Sequence, residues 1–541
     1  MARTPLFRVL ERTLRQARVA ARNPAADPDA PADSRNRIVT GRPSASARPF
    51  TRRDFLRTSG AAALGVGLVG CGSGRVPGGS EAAEVLIVGA GIAGLTAGWR
   101  LSQAGVQVRI LEAQERVGGR MFTLRNHFAS GQVAELGGEL IDTGHVNIRA
   151  MAVEMGLELD DLYADETMEP EIWYFGGRHV GEADLIRAWA PVAARIESEL
   201  AALPLPAEWP WITWDAPAGA ETLDRLSLAE WLAGVEMDGW FRDLLDVGFT
   251  SEYGLEAGEQ SALNLHTLVD TDPDAFLIYG EGDVRFHVRG GNDQIPRALA
   301  ERLESAIERG TRLESIRTGA DGRYELSVRS GNTSRTLRAH HVILALPFTL
   351  LRQVEMDLEL PDVKRRAISE LGYGTNAKLM MGFRERVWRG THGSAGTVIT
   401  DLPFQVTWET SRAQAGDEGI LTNFTGGSVG VALGQGSAEE RARGVVGELE
   451  RIFPGLAAAH DPAQAVRFHW PTHDWTRGSY SCYRPGQWTG LAGAEGMQVG
   501  GLHFAGEHTS LDAQGFMEGG CESGERAAAE VLQALGRRSA A

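Results

Sequence analysis

Three glycines and one acid have the types and the spacing that bind a dinucleotide. Gly89, Gly91 and Gly94 form the pattern GxGxxG, and Glu112 follows them. In such a loop the first glycine permits a tight turn, the second lets the backbone approach a pyrophosphate, and the third lets a helix pack closely on a strand. The acid can accept hydrogen bonds from ribose hydroxyls. These residues therefore predict a site for a dinucleotide cofactor.

The segments around these glycines have the patterns of the elements that must position them. Val85 to Val88 is a short apolar run, which is typical of a buried parallel strand. An amphipathic helix follows the glycines as far as about Ala104, and a second strand runs from Val106 to Leu111. The helix would present its unpaired N–H groups to the phosphates. The sequence thus predicts a βαβ unit.

A second glycine motif favours FAD over NAD. The run "ERVGGR", which contains Gly119 and Arg120, resembles the second glycine motif of FAD-dependent amine oxidases and glutathione-reductase-type proteins. This resemblance implies that Arg120 lies against the cofactor phosphates. No second GxGxxG with strand, helix and acid occurs later in the sequence. Hydroxylases that bind NAD(P)H without such a motif keep the alternative open at this point.

Composition and charge exclude several classes of partner. The chain has 541 residues, 43% of them hydrophobic, and a formal net charge of −17. An acidic surface argues against nucleic acid or an anionic membrane as a partner. The sequence has no run of about 20 apolar residues, so we expect no transmembrane span. The three cysteines lack the spacing of a metal site or a disulfide framework, and we expect no metal.

The first 80 residues predict export. Residues 1–50 are rich in Arg, Ala, Pro and Asp and are expected to be disordered. Residues 51–80 contain Arg52 and Arg53, a weakly apolar segment and then "LVGC", which resembles a twin-arginine signal with a lipobox. We expect transfer to the periplasmic or extracellular face, with lipidation at Cys71. The alternative is a chance arginine pair before an Ala/Gly-rich linker.

From about Glu84 to Leu535 the chain resembles the flavin-containing amine oxidases, which comprise monoamine, polyamine and L-amino-acid oxidases. The motifs include "RGGNDQIPRALAERL", "GTRLESI" and "AHHVILALPFTLL". The resemblance implies an α/β fold: a Rossmann-like FAD-binding domain built from discontinuous segments, with an inserted α+β substrate-binding domain. The FAD domain would take residues 81–150, 281–350 and 486–541. The substrate domain would take a mainly helical part, 151–280, and a mixed sheet, 351–485.

The same resemblance implies cofactor contacts for four further residues. The backbone of Leu313 would hold the adenine, and Trp470 would pack near the flavin. Glu507 would bind the ribityl chain. The N–H of Met517, at the start of the last helix, would point at flavin O2/N1, where reduction places negative charge.

A lysine and two aromatic residues are the catalytic candidates. Alternation in "LGYGTNAKLMMGF" puts Lys378 on the strand face opposite Ala377 and Leu379. The resemblance implies that Lys378 holds a water against flavin N5 and assists reoxidation, whereas the pattern alone is also that of a solvated strand lysine. Tyr480 and Phe516 would form the two walls of an aromatic cage for the amine. Core packing is the alternative for Tyr480, as it is for Trp470.

The residue before the expected cage tyrosine predicts non-covalent FAD. Monoamine oxidases carry a cysteine there that anchors the flavin, and this chain has Ser479. Cys482 lies three residues along and is not equivalent. We expect Cys482 and Cys521 to be buried thiols, although the sequence leaves their pairing open.

The expected reaction is oxidation of a primary or secondary amine to an imine, with O2 reduced to H2O2. Leu140 stands where L-amino-acid oxidases hold a carboxylate-binding arginine, which counts against α-amino acids. A distal ammonium of a di- or polyamine could meet Glu139 or Asp142, or these acids could only bind backbone. An arginine from elsewhere, such as Arg149 or Arg484, would favour an L-amino-acid oxidase or oxidative decarboxylase.

Two further alternatives stay open for the function. One is a flavin amine dehydrogenase that passes electrons to a carrier other than oxygen, and another is a non-catalytic FAD-binding protein. The oligomeric state is not readable from the sequence, and a homodimer is one of the states left open.

Overall fold

The computed structural model describes residues 84–164, 168–169, 171–205, 211–267 and 283–537. The predicted disordered extension, the twin-arginine motif and Cys71 lie outside the described residues. Their export and lipidation therefore stay predictions.

The described chain contains twenty strands, numbered here in chain order: β1 Val85–Val88, β2 Val108–Leu111, β3 Thr123–Leu124, β4 Ala134–Glu135, β5 Leu159–Asp161, β6 Ile172–Phe175, β7 Arg178–His179, β8 Phe286–Val288, β9 Ile307–Glu308, β10 Thr311–Thr318, β11 Tyr324–Ser330, β12 Thr333–Ala339, β13 His341–Leu344, β14 Glu355–Asp357, β15 Ala377–Phe383, β16 Val398–Thr400, β17 Val406–Glu409, β18 Gly419–Thr425, β19 His460–His469 and β20 Leu502–Phe504.

It also contains sixteen α-helices: α1 Ile92–Gln103, α2 Val146–Glu154, α3 Glu182–Ala201, α4 Glu221–Asp224, α5 Leu228–Ala233, α6 Gly239–Tyr253, α7 Leu263–His266, α8 Gln294–Arg302, α9 Phe348–Leu351, α10 Asp362–Glu370, α11 Val387–Gly390, α12 Gly427–Leu433, α13 Ala438–Leu449, α14 Leu456–Ala459, α15 Trp488–Leu491 and α16 Met517–Ala534. None of these described helices is long and apolar enough to cross a bilayer.

A parallel sheet joins three distant stretches of the chain. Its strand order is β20-β13-β1-β2-β9, and each neighbouring pair is parallel. Both faces of β1 are covered: Val85 and Ile87 pack in one apolar cluster with α1 and α16, and Leu86 and Val88 pack in another. A strand that is covered on both faces is apolar throughout, which explains why β1 is the short apolar run from which the strand was predicted. The predicted Rossmann-like domain of discontinuous segments is confirmed.

A second sheet lies in the same sequence region as β9 and β13. Its order is β12-β11-β10-β14, where β10 to β12 form an antiparallel meander and β14 pairs parallel with β10. The pairing with β14 begins only at Ser315, so the first residues of β10, Leu313 among them, extend beyond that neighbour. This extension brings the start of β10 to the cavity described below.

The third large sheet is mixed and has the order β19-β15-β18-β17-β16-β6-β7. Its central strands are antiparallel, and β6 pairs parallel with β16. Two of its strands, β6 and β7, come from the stretch that we expected to be mainly helical. The sequence of β6, "IWYF", is aromatic and β-branched, which suits a buried strand. The helices α3 and α5 to α7 pack in one apolar cluster with this sheet.

Candidate functional site

A cavity of about 700 Å³ lies where the parallel sheet meets the mixed sheet. One end is lined by the glycine loop after β1, and the other by side chains of β15, β17 and β18. The predicted residues that line it are Gly89, Gly91, Glu112, Gly119, Arg120, Glu139, Leu313, Lys378, Trp470, Tyr480, Glu507, Phe516 and Met517. The structure thus gathers into one cavity residues that lie more than 400 positions apart in the sequence.

The three glycines of the loop have three different surroundings. Gly89 has φ +106°, and a Cβ there would lie 2.6 Å from the backbone oxygen of Ala345. A Cβ on Gly94 would lie 2.0 Å from the backbone oxygen of Gly89, so only glycine lets α1 approach the loop. A Cβ on Gly91 would meet no protein atom within 4 Å. Gly91 therefore opens onto free space, and its contact with a pyrophosphate stays a prediction.

Glu112 binds the loop that it follows. Its Oε2 accepts a hydrogen bond from the N–H of Ala90 and its Oε1 accepts one from Gln114, each at 2.8 Å. Burial raises the pKa of this carboxyl, against the lowering effect of these hydrogen bonds. A carboxylate has about four acceptor positions, so two stay available. Contact with the cofactor ribose stays a prediction.

Arg120, which is partly buried, and Glu507, which is buried, form an ion pair at the cavity. Nη1 of Arg120 donates to Oε1 of Glu507 at 2.7 Å and to the backbone oxygen of Ser479 at 2.9 Å. The other carboxylate oxygen of Glu507 accepts from Ser481 Oγ and from the N–H of Gly515, both at 2.8 Å. Burial works against the charge of Glu507, but Arg120, His508 and the hydrogen bond from Ser481 together outweigh burial and lower the pKa of Glu507. The expected contacts of the two residues with phosphate and ribityl chain stay predictions.

Trp470 is both core and cavity wall. Its ring is 5% exposed and lies 4.5 Å from the ring of Phe468, between centroids. Its Nε1 donates to the backbone oxygen of Leu136 at 2.9 Å. Core packing and the expected position beside the flavin are therefore compatible at this residue.

The N-terminus of helix α16 points its unpaired N–H groups toward the cavity. Phe516 is the N-cap in extended conformation, and no side chain caps the helix. Glu518 in the first turn faces away, because its carboxylate accepts from the N–H groups of Asn147 and Ile148 at 2.9 and 2.8 Å. The positive end of the helix dipole at Met517 is therefore left to stabilise negative charge in the cavity.

Strand register places Lys378 beside aromatic residues. Lys378 on β15 pairs with Phe424 on β18, and Phe424 pairs with Val406 on β17. Paired residues of adjacent strands share a sheet face, and so does Trp408, two residues after Val406. Lys378, Phe424 and Trp408 all line the cavity. The Lys378 ammonium lies 5.4 Å from the centre of the Trp408 ring.

Lys378 is buried and fully engaged. It is 4% exposed, and Nζ donates to the backbone oxygens of Glu135 and Gly137 at 3.1 and 2.8 Å. Its third partner is Oε2 of Glu139, at 2.7 Å. The alternative of a solvated strand lysine does not describe this side chain.

Glu139 is held on both oxygens by protein donors. Its Oε1 accepts from Trp408 Nε1 at 2.9 Å and from Thr410 Oγ1 at 2.8 Å, while Oε2 accepts from Lys378. Burial alone would raise the pKa of this carboxyl, but Lys378 and the hydrogen bonds outweigh burial and lower it. The structure therefore gives Glu139 a protein cation as its partner, which differs from the expected distal ammonium of a substrate.

Six aromatic residues of the described chain line the cavity: Tyr480, Phe516, Trp470, Trp475, Trp408 and Phe424. The first three were predicted. The hydroxyl of Tyr480 donates to the backbone oxygen of Glu252, which fixes the ring. Sequence reasoning missed Trp475, Trp408 and Phe424, and the position of the last two depends on register between strands that are distant in sequence. The alternation in "FQVTWET" was a signal that Trp408 and Thr410 share one face.

Asp142 supports the ring of Phe516 through His145. His145 packs on the ring of Phe516, with centroids 4.8 Å apart. The N–H of Asp142 donates to His145 Nδ1 at 3.0 Å, so the imidazole proton is on Nε2, which lies 3.2 Å from Asp142 Oδ2. The other carboxylate oxygen of Asp142 accepts from the N–H of Val284 at 2.6 Å. Asp142 does not line the cavity in the described part of the chain, contrary to the expected contact with substrate.

The two arginines that could have bound a substrate carboxylate, Arg149 and Arg484, do not line the cavity in the described structure. Arg149 donates to the backbone oxygen of Thr143 and stacks over Phe286 at 4.7 Å. Arg484 lies 3.4 Å from Glu259. Within the described residues neither lines the cavity, whereas Leu140 does.

The thiols of the described chain are away from the cavity. Cys482 and Cys521 are buried and are not joined by a disulfide, and neither is part of the cavity lining. Ser479 Oγ donates to Asn376 Oδ1 at 2.6 Å in the place of the anchoring cysteine. These positions agree with a cofactor that is held without a thioether bond.

Comparisons with known proteins agree with this geometry. The model of the family described as "Flavin containing amine oxidoreductase" matches residues 92–532. The amine oxidase [flavin-containing] A of Bos taurus is 27% identical over 470 residues, which cover 84% of this chain and 86% of the relative. That of Danio rerio, described as amine oxidase [flavin-containing], is 26% identical over 476 residues, covering 85% and 87%.

Solved structures share the fold. The cyclohexylamine oxidase from Brevibacterium oxydans superposes with a TM-score of 0.73 at 22% identity, covering 84% of this chain and 100% of that one. A putrescine oxidase bound to putrescine gives 0.70 at 23% identity, covering 84% and 99%. At these identities the likeness shows the fold alone.

Proposed function

Because this chain belongs to the family of flavin-containing amine oxidoreductases, and is a flavin-dependent enzyme with FAD as its cofactor, we propose that it oxidises a primary or secondary amine with O2 as the electron acceptor. For a primary amine the balance is RCH2NH2 + O2 + H2O giving RCHO + NH3 + H2O2, by way of the free imine. FAD supplies the acceptor for the two electrons and the hydrogen that leave the α-carbon.

The aromatic end of the cavity is the observation that carries this proposal. Tyr480, Phe516, Trp408 and Phe424 line the cavity together with Lys378, and the Lys378 ammonium lies 5.4 Å from the centre of the Trp408 ring. Aromatic faces attract an amine in its cationic form and pack on its apolar substituent. Leu140 adds a further apolar side chain to this lining. These residues bind and orient the amine and exclude water from it.

The groups that would hold FAD are spread over both ends of the cavity. The glycine loop, with Glu112, suits the pyrophosphate and ribose, and the N-terminus of α16 suits the flavin end. Unpaired helix N–H groups stabilise negative charge without any rearrangement, which is the electrostatic requirement of a reduced cofactor. Lys378, whose ammonium is paired with Glu139, also lines the cavity.

One observation favours a second candidate, an L-amino-acid oxidase. Arg477 lines the cavity and has φ +51°, a conformation that a non-glycine residue adopts at a cost. An arginine on the cavity wall could pair with a substrate carboxylate. Substitution by alanine would then raise KM for α-amino acids and leave KM for simple amines unchanged.

The test is a panel of monoamines, diamines, polyamines and α-amino acids with the purified holoenzyme. We expect amines to bleach the flavin anaerobically and to form one H2O2 per amine in air. Reduction by α-amino acids alone would overturn the amine proposal in favour of the second candidate. Bleaching without peroxide, followed by slow reoxidation in air, would identify a dehydrogenase.

We also propose that the protein is exported by the twin-arginine route and anchored at Cys71. The support is the sequence alone: Arg52 and Arg53 before a weakly apolar segment that ends in "LVGC". Replacing both arginines by lysine should leave the full-length precursor in the cytoplasm. An unprocessed chain that fractionates identically with and without the arginines would contradict export, and a Cys71→Ser variant tests the anchor separately.

A further inference from the structure

All three N–H groups of the Lys378 ammonium are engaged in hydrogen bonds. An ammonium carries three donors, and Nζ is bound to Glu135 O, Gly137 O and Glu139 Oε2. Two of these acceptors are backbone carbonyls of one segment, and only the third carries a charge. Glu139 therefore decides both where the ammonium lies and whether its charge is balanced.

Glu139 is itself held in place from the other side. The indole of Trp408 and the hydroxyl of Thr410 both donate to Oε1, and Thr410 Oγ1 lies 2.5 Å from Thr422 Oγ1. To turn toward the cavity, the carboxylate would give up both donors and its cation. The geometry is that of a fixed counter-ion.

The other charged groups near this pair balance each other. Oε1 of Glu135 lies 2.9 Å from His287 Nε2 and accepts the N–H of Asn292 at 2.8 Å. Burial lowers the pKa of His287, but the hydrogen bond and charge of Glu135, together with the charges of Glu139 and Asp160, outweigh burial and raise the pKa. Glu135 is the carboxylate that bonds His287, and Glu139 is the carboxylate that bonds Lys378.

We propose that Glu139 is a positioning residue that holds the Lys378 ammonium against the wall of the cofactor cavity. This inference rests on the proposed function, because the charge acts on catalysis only through FAD bound in the cavity. In this proposal Glu139 affects catalysis by holding Lys378 in place, and it does not contact the substrate.

Removing the carboxylate should leave the buried ammonium without a counter-ion. Glu139→Gln keeps the size of the side chain and deletes its charge, while Lys378 stays buried. Burial disfavours a charged amine that has lost its counter-ion, so the reoxidation rate of the variant should depend on pH. At lower pH the unbalanced ammonium should raise the midpoint potential of bound FAD, since positive charge favours the reduced anion.

The experiment measures reoxidation of dithionite-reduced holoenzyme by O2 in a stopped-flow instrument from pH 6 to pH 9, together with the midpoint potential. No amine is needed. We expect a flat profile for the wild type and, for Glu139→Gln, a fall of at least about fivefold between pH 6 and pH 9. In a Lys378→Met background, adding Glu139→Gln should change the rate by less than about twofold, because the carboxylate acts only through the lysine.

Glu409 supplies a matched control. It follows Trp408 on β17 and so faces the opposite side of the sheet, away from the cavity lining. Like Glu139 it is buried, accepts an indole N–H at 2.9 Å, here from Trp388, and pairs with a cation, here Arg389. Glu409→Gln therefore removes a similar buried charge, and its pH profile and midpoint potential should match those of the wild type.

The outcomes separate the two proposals. A flat profile and an unchanged potential in Glu139→Gln would overturn the role of Glu139, as would an effect that persists without Lys378. If Glu139→Gln does not retain FAD, Thr410→Val tests the same support: a smaller rise in potential is expected, and no rise overturns the proposal. A wild type that no amine reduces would refute the proposed function alone, since the midpoint potential still reports on the Glu139–Lys378 pair.

Discussion

The imidazole of His145 lies against the ring of Phe516, with centroids 4.8 Å apart and ring planes at 61°. Asp142 fixes the tautomer of this imidazole by donating to Nδ1 and by facing Nε2. Phe516 is also the N-cap of α16. The position of one cage wall therefore depends on two residues that do not themselves line the cavity in the described structure.

Deleting this support should weaken substrate binding. His145→Ala leaves Phe516 without its backing, and KM for the amine should rise roughly tenfold, because small displacements of positioning groups are costly. FAD content should stay that of the wild type. His392, a partly exposed histidine that bonds Pro454, provides the control for general effects of losing an imidazole. An unchanged KM in His145→Ala would show that Phe516 holds its place alone.

Two buried histidines should make the protein sensitive to acid. Burial lowers the pKa of His145 and of His508 from 6.5 to about 3 in each case. Above pH 6.5 the folded and unfolded states are both neutral at these residues, and the stability is fully present. Below pH 6.5 only the unfolded state takes up the protons, so each histidine removes up to about 1.4 kcal/mol of unfolding free energy per pH unit down to about pH 3.

Urea unfolding of the holoenzyme at several pH values from 7.5 to 5 measures this slope. His508→Gln should flatten it, because glutamine does not titrate. In the described chain neither nitrogen of His508 has a hydrogen-bond partner, so the substitution breaks no such bond. If the slope of the variant equals that of the wild type, His508 is not neutral in the folded protein.

Two neighbouring glycines should respond differently to the same substitution. Gly94→Ala places a Cβ 2.0 Å from the backbone oxygen of Gly89, so it should lower the melting temperature of the apoprotein and abolish FAD retention. Gly91→Ala meets no protein atom within 4 Å, so the apoprotein should melt like the wild type. Its affinity for FAD should nevertheless fall at least about tenfold, because the methyl group occupies the approach of the pyrophosphate. Equal FAD affinity in Gly91→Ala and wild type would place the pyrophosphate elsewhere.

FAD should leave the protein on denaturation. Acid precipitation followed by centrifugation should leave the yellow flavin in the supernatant, since Ser479 replaces the anchoring cysteine and Cys482 is buried outside the cavity lining. Cys482→Ser should release the same amount. Flavin that stays in the pellet of the wild type but not of the Cys482→Ser variant would instead identify Cys482 as an attachment point.

Local patterns in the sequence predicted the cofactor end of the site well. The spacing of Gly89, Gly91 and Gly94 encodes a turn, an open approach and a close packing contact, and the structure assigns those surroundings in that order. The apolar run of β1 predicted a strand covered on both faces. Such features are readable because each depends on residues close together in the chain.

The substrate end was less readable, because it depends on which strand lies beside which. Trp408 reaches Lys378 only through the register of β15, β18 and β17. The sequence pointed to both acids but did not predict their partners. Glu139 is neutralised by Lys378 on β15, and Asp142 binds His145 and Val284. A buried carboxylate next to an expected site can serve either a ligand or the protein, and only the three-dimensional partner decides.

The last helix has a consequence for the order of events during synthesis. Helix α16 packs on α1, where Arg100 pairs with Glu525 across 425 residues of sequence. The glycine loop emerges from the ribosome more than 400 residues before the helix that completes the far end of the cavity. A growing chain can therefore form β1 and α1 long before it can retain FAD, and any product truncated before residue 517 would lack the flavin end of the site.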